Sequence, residues 1–271
     1  MTQPPMTPPP ADQPPPGGEH LLAGITALIE RVLASVTEVA EAMTAVAAAA
    51  RAGRRPLRRG DLAALRPLVR QVLARHRGFA AGAGVVLAPD ALADAPRCID
   101  WWWADQGIGR LEVDLDPASA EFYDYTTTEW YREPARTGQP CIAGPYVDYI
   151  CTHKYTFTVS VPVVDDGRFM GVAGADILAG EVERMLLPGL STLARASGRA
   201  VVVSGNGRVI ASGTARILPG TVLRPPGPVP RPAGPAGPGA AAGPLPWRLL
   251  SGPALPRAVT SPAGLAPGGE K

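Results

Sequence analysis

Cysteine, histidine and net charge are all scarce in this chain. The three cysteines, Cys98, Cys141 and Cys151, make no CxxC pair, and an odd count gives no complete disulfide framework. Cys141 and Cys151 stand on neighbouring segments and can pair, but buried free thiols are the plainer expectation. Cys151-Thr152-His153 lacks the two further ligands that a zinc site needs. His20, His76 and His153 are the only histidines, and none sits beside an evident nucleophile. GxSxG, P-loop and HExxH patterns are absent. Glu121 and Asp124 offer paired carboxylates for a hydrolase but no further acid–base partner. GVAGADI has glycines without the GxGxxG spacing, and it lies in the second arm of a hairpin rather than opening a βαβ unit. No enzyme, cofactor or metal is therefore expected.

A formal net charge of +2 gives no reason to expect a nucleic-acid binder. The run Arg51, Arg54, Arg55, Arg58 and Arg59 reads as a solvated linker; phosphate contact is the lesser alternative. Long uncharged apolar runs are missing too. Leu21 to Ala50 is interrupted by Glu30, Arg31, Glu38 and Glu41, whereas a spanning helix needs about 20 nearly uncharged residues. The first residues are proline-rich and lack the basic region of a signal peptide. A soluble, cytoplasmic protein without a membrane span is the expectation.

Proline and glycine are plentiful, 32 and 31 residues, and crowd into the two ends. Residues 1–18 form a Pro-rich tail that cannot bury enough apolar surface to offset chain ordering. Residues 225–271 are mostly Pro, Gly and Ala and read as low-complexity chain. The patch Leu245 to Leu250 is the place for one short docked strand. The folded part is thus 19–224, with a main module over about 78–198 and an abbreviated second one over 199–224.

Within it, Leu21, Ile25, Leu28, Ile29, Val32, Val36, Val39 and Met43 recur at helical spacing. They predict one long amphipathic helix over 19–52, which serves either as a spine or homodimer contact or simply covers the core. A second helix is predicted over 61–77, with Asp61 as N-cap and Pro67 as a kink or restart. Beyond Gly78 the period falls to 2, giving strands at 83–88, 98–104 and 109–114. In Trp101-Trp102-Trp103 the outer two rings share a face and the middle one takes the other. Tyr155, Phe157, Val159, Val161 and Val163 alternate with Thr156, Thr158, Ser160 and Pro162, and Asp166-Gly167 marks the hairpin turn. A helix over 178–197 and a hairpin turning at Gly205-Asn206-Gly207 follow.

Aromatic residues make up only 6% of the chain, yet Tyr123, Tyr125, Trp130, Tyr131, Tyr146, Tyr149 and Tyr155 crowd one segment. Asp124, Asp148 and Asp176 lie among them. Rings beside carboxylates suit a small cation. Each also has a plainer reading: Asp176 as a helix N-cap, Tyr123 and Tyr146 as core rings with wet hydroxyls, Asp148 as a loop carboxylate holding its own backbone. Trp130 and Tyr131, adjacent on a helix, cannot both face one core.

WYREPARTGQPCIAGPYVDY followed by FTVSVPVVDDGRFMGVAGADI resembles the PDC-type sensor fold called Cache, and most of all the ligand-binding half of double Cache domains. The resemblance implies an α+β fold: a long N-terminal helix, then a PAS-like antiparallel sheet flanked by helices. It implies a non-enzymatic sensor of an amine or amino-acid-like ligand. By likeness to the amino-acid-binding branch, Asp176 would hold the ligand ammonium, with Tyr123, Trp130, Tyr131, Tyr146 and Asp148 around it. Where that branch has an arginine for the ligand carboxylate this chain has Thr128, and Thr126 stands where a second arginine is frequent. A guanidinium fork binds a carboxylate by charge-assisted bonds that a neutral hydroxyl cannot match, so an amine suits the site better. Arg132 and Arg136 either replace the missing arginine or point into solvent. The alternative is a structural or interaction protein with a non-functional pocket. No output segment is legible, so signalling would pass through an unknown partner protein. The resembled family is displayed outside the cell on membrane anchors, in conflict with the cytoplasmic expectation.

Overall fold

The computed structural model describes residues 18–104, 107–150, 154–223, 245–253 and 255. Cys151, His153, the first 17 residues and most of the Pro/Gly/Ala-rich end therefore lie outside the described residues. Contacts divide the chain into two compact units.

The larger unit takes in Thr26–Met185. Helix α1 (Gly18–Ala52) supplies its first element. Ile29, Val32, Val36, Val39, Met43 and Ala47 are buried along one stripe, as the spacing predicts. By length and composition alone, His20–Ala52 would suffice to cross a membrane, which the count of interrupting charges did not anticipate. Ser35 on α1 bonds the His76 ring at 2.9 Å, and Arg75 bonds Glu38. Farther along, the Thr44 hydroxyl donates to the Val164 carbonyl and Arg51 pairs with Asp165 at 2.6 Å.

The second predicted helix is two pieces, a 3-10 stretch Arg59–Leu65 and α2 (Arg66–Arg75). Pro67 sits in the first turn of α2, where its missing N–H costs nothing. Asp61 is not the N-cap: it stands three residues in, its carboxylate accepting from the Arg58 backbone N–H and from Arg55.

Six strands follow: β1 (Ala80–Leu87), β2 (Cys98–Ala104), β3 (Ile108–Arg110), β4 (Cys141–Val147), β5 (Tyr155–Asp165) and β6 (Arg168–Leu178). They form one sheet in the order β3-β2-β1-β6-β5-β4, with every pair antiparallel. The third predicted strand ends early, because 111–124 leaves the sheet as an irregular strap. The β5–β6 turn is at Asp166 and Gly167, both with positive φ (52° and 74°), the conformation a two-residue hairpin requires.

The two sheet faces differ. Ala83 and Val85, Phe157, Val159, Val161 and Val163, with Ala173, Ala175 and Ile177, make one face largely apolar; toward β2 and β3 it also carries the buried Asp100, paired with Arg110, and α2 packs beside it on β1 and β2. The other face carries Gly82, Gly84, Thr158, Ser160, Gly174 and Asp176. It is covered by α3 (Glu129–Thr137) and by the strap.

The smaller unit includes Leu186–Val229 and the segment from Pro246. Helix α4 (Ala179–Ser197) runs into it. Its sheet, β8-β7-β9, comprises β7 (Ala200–Val203), β8 (Val209–Ser212) and β9 (Arg248–Ser251). β9 is the docked strand that the apolar patch predicted. Val201, Val203, Val209 and Leu223 form its core.

Candidate functional site

Asp176 is set by register. It pairs across β6 with Gly82 on β1 and Thr158 on β5, so its side chain rises from the polar, glycine-bearing face. The strand continues to Leu178 and α4 starts only at Ala179; Asp176 is therefore not a helix cap. It is 5% exposed. The Thr158 hydroxyl donates to its Oδ1 at 2.6 Å. The Tyr146 hydroxyl bonds Thr158 Oγ1 in turn. With its own proton committed to Asp176, the Thr158 oxygen is left to accept from Tyr146. The Trp101 indole nitrogen lies beside the same carboxyl: a Cβ built on Gly82 would fall 2.6 Å from Trp101 Nε1 and 3.0 Å from Asp176 Oδ2.

A cavity of about 40 Å3 opens over this carboxyl. Trp101, Tyr123, Trp130 and Tyr146 supply its rings, Asp148, Thr158 and Asp176 its polar groups, and Val86, Ile99, Leu111 and Ile150 its apolar remainder. No lysine or arginine stands among these described lining residues. Burial pushes the Asp176 carboxyl up to about 7, and the Asp148 charge adds to that; the bonds from Thr158 and Trp101 act against it. Burial, together with the charges of Asp148 and Asp176, also holds the Tyr123 and Tyr146 phenols well above their ordinary range. Both phenols are therefore protonated donors at neutral pH.

Tyr123, Trp130, Tyr146, Asp148 and Asp176 thus meet in one cavity, as the sequence suggested. Asp148 also accepts from the Ile150 backbone N–H at 3.1 Å, so its loop-organising role and its place at the cavity coexist. Tyr131 and Thr128 do not line the cavity. Tyr131 is buried in an edge-to-face cluster, 5.3 Å from Tyr125 and 5.6 Å from Phe169. Against the expectation for adjacent helix residues, Trp130 and Tyr131 both belong to one buried cluster, edge to face at 6.2 Å, and only Trp130 also reaches the cavity. Thr128 closes the short 3-10 turn Tyr125–Thr127, and its hydroxyl donates back to the Tyr125 carbonyl at 2.7 Å. Thr126 is likewise tied to Asp124, at 2.6 Å. Arg132 is exposed, and Arg136 pairs with Glu133 at 2.6 Å; neither lines the cavity. Asp124, offered above as half of a hydrolase pair, caps the 3-10 turn and meets Arg97 at 3.3 Å. Cys98 and Cys141 are free thiols, Cys98 buried and Cys141 half-buried, and burial raises both.

Comparison with known proteins agrees with this architecture. Residues 65–183 match the family described as methyl-accepting chemotaxis protein-like, first PDC sensor domain. Over this segment the chain is similar to PDC-type sensor domains. Over 111 residues the chain is 27% identical to the methyl-accepting chemotaxis protein TlpQ of Pseudomonas aeruginosa, a match covering 38% of the chain and 15% of that relative. Among solved structures, the extracellular domain of mmHK1S-Z2, described as a histidine kinase, superposes with a TM-score of 0.52 at 17% identity, covering 73% of this chain and 70% of that one. The corresponding domain of soHK1S-Z6 gives 0.53 at 18% identity, covering 73% and 68%. At such identities the likeness is one of fold.

Sequence reasoning missed two polar residues beside Asp176, Trp101 and Thr158. Trp101 was legible only as one of three adjacent rings, with no sign of which would meet a carboxylate. Thr158 had a signal: Thr156, Thr158 and Ser160 alternate with buried apolar residues yet are themselves 0–2% exposed. Hydroxyls on the second face of a strand that is buried on both faces need partners, and here those partners include Asp176 and the Trp130 carbonyl.

Proposed function

We propose that this chain is a non-enzymatic sensor module whose cavity takes a small organic amine, and that occupancy is passed on to another protein. One observation carries the reading: two buried carboxylates, Asp148 and Asp176, share a ring-lined cavity whose described lining holds no cation. A carboxylate-bearing guest would meet like charge there and no guanidinium. An ammonium would meet Asp176, Asp148 and the faces of Trp130, Tyr123 and Tyr146, where each cation–π contact contributes about 0.5–2 kcal/mol. The tyrosine hydroxyls, held protonated, complete the polar shell. The small volume favours a guest of few heavy atoms. Ligand occupancy would favour one of two conformations of the unit. α1, fixed to it at Ser35, Glu38, Thr44 and Arg51, is the natural element to pass that change on, to a second copy of the chain or to a separate output protein.

The same small volume favours a second reading, a structural module with a non-functional pocket. A thermal-shift screen separates the two. A guest at 100 times its dissociation constant adds about 2.7 kcal/mol to stability. Small primary amines are expected to raise Tm in the wild type and not in Asp176→Asn, with amino acids weaker than the matching amines. If no amine shifts Tm, the non-functional pocket is the correct reading.

A further inference from the structure

Trp101 and Asp176 belong to strands that are not neighbours: β1 lies between them. Adjacent strands are about 4.8 Å apart, so an indole rooted on β2 reaches a side chain on β6 only by lying across β1. Ordinary side chains on the intervening strand would block that path. None is present. A Cβ at Gly82 would fall 2.6 Å from Trp101 Nε1 and 3.0 Å from Asp176 Oδ2. One at Gly174 would fall 3.1 Å from the far edge of the same ring, and one at Gly84 2.8 Å from the Trp101 Cα. Gly82 and Gly174 leave room for the two ends of the ring, Gly84 lets the β2 backbone approach, and the 82 position shows that the indole nitrogen and the carboxylate crowd the same point.

We propose that Trp101 is the positioning residue of this cavity: its indole N–H, given room by Gly82 and Gly174, holds the Asp176 carboxylate in the orientation and charge state that a cationic guest requires. The consequence for a guest rests on the amine reading above; the contact itself does not. Thr158 donates to Oδ1, and the Trp101 indole nitrogen crowds the Oδ2 side at Gly82, so a donor is placed on each side of Asp176. Bonds to an ionised acceptor are about twice as strong as neutral ones. The pair of donors therefore favours the carboxylate over the acid. The groups opposing them are the burial itself and the Asp148 carboxylate; the protonated phenols of Tyr123 and Tyr146 carry no charge. A ring needed only for bulk would not require its nitrogen at this spot. The neighbouring Trp102 makes the contrast. It lies on the opposite face with Arg66 and Arg70 over its ring at 5.8 and 5.3 Å, and its buried nitrogen has no partner among the described residues.

The test uses the ligand-free protein, so its failure is distinct from a failure to bind amines. The chain has five tryptophans, hence five indole N–H resonances, and the one lost in Trp101→Phe identifies Trp101. In the wild type that resonance is expected to move in one step between about pH 5 and about pH 9, a window set by the upward displacement of a buried carboxyl. It is expected to stay flat in Asp176→Asn. In Trp101→Phe the Asp176 side-chain carbon should titrate about one pH unit higher, the equivalent of one hydrogen bond to a charged group. A flat Trp101 resonance in the wild type, or an unchanged Asp176 midpoint in Trp101→Phe, overturns the proposal. Should Trp101→Phe not fold, the resonance is assigned by connectivity, and the wild type against Asp176→Asn still decides.

Discussion

The two faces of the six-stranded sheet are equally dry and chemically opposite. On β5, Phe157, Val159 and Val163 are fully buried, and so are Thr156 and Ser160, which alternate with them. The apolar set needs no particular partner; any well-packed helix will cover it. The hydroxyl set needs acceptors at fixed places, since an unsatisfied buried polar group costs about 1–3 kcal/mol. Ser160 finds the Trp130 carbonyl at 2.6 Å and Thr158 finds Asp176. One face thus stabilises the domain, and the other spends part of that stability to hold a charged group in a cavity.

The largest expected effect lies on the apolar face. Phe157→Ala should lower stability by about 3–5 kcal/mol through lost burial and a residual void. Because Phe157 points away from the cavity, amine affinity of the folded fraction should change by less than about twofold. Denaturant unfolding and calorimetry on the same sample check both halves; a large loss of affinity in the folded fraction would erase the division between the faces.

Next is the pH dependence of the polar face. The Asp176 carboxyl is raised from 3.8 to about 7. Between those values the folded state holds a proton that the unfolded chain has released, so stability is full below about pH 4 and falls as pH rises toward about 7. Asp176→Asn should remove that slope and be the more stable protein at neutral pH, by up to about 4 kcal/mol. It should also lose the amine response. Amine binding in the wild type should strengthen over the same window, with release of the carboxyl proton, detectable by calorimetry in buffers of different ionisation enthalpy.

A smaller effect is expected at Thr158. Thr158→Val removes the donor to Oδ1 and the partner of the Tyr146 hydroxyl. A loss of about 1–3 kcal/mol follows if the phenol is left unsatisfied. The stability slope assigned to Asp176 should extend to higher pH, since one bond favouring the charged form is gone. A wild-type slope in this variant would mean that Thr158 does not tune the carboxyl.

Much of the fold was legible because its signals are local. The stripe on α1, the alternation on β5 and β6 and the Asp166-Gly167 turn each lie within a few residues of chain. The cavity was legible as a set of residue types, but its wiring was not. Trp101 meets Asp176 across 75 positions of sequence and one intervening strand, a relation fixed by register and by glycines whose role appears only when the strands are side by side. Asp176 looked like a cap because a helix follows closely; two more residues of strand, Ile177 and Leu178, decide otherwise.

The smallest expected effect concerns Thr128, which the resemblance placed in the binding site. Its hydroxyl is already committed to the Tyr125 carbonyl at 2.7 Å, where it closes the 3-10 turn that leads into α3. Thr128→Val keeps the shape and removes that bond. The cost should be about 1 kcal/mol, the ordinary net worth of one hydrogen bond at a half-buried site. Amine affinity should stay within about twofold, because the group lies outside the cavity and its removal leaves no cavity atom unpaired. Set against Asp176→Asn, this variant tests whether the selectivity of the polar face comes from what lines the cavity or from the turn that frames it. A tenfold loss, about 1.4 kcal/mol of binding energy, would show that the turn before α3 moves when a guest enters and that Thr128 then meets it.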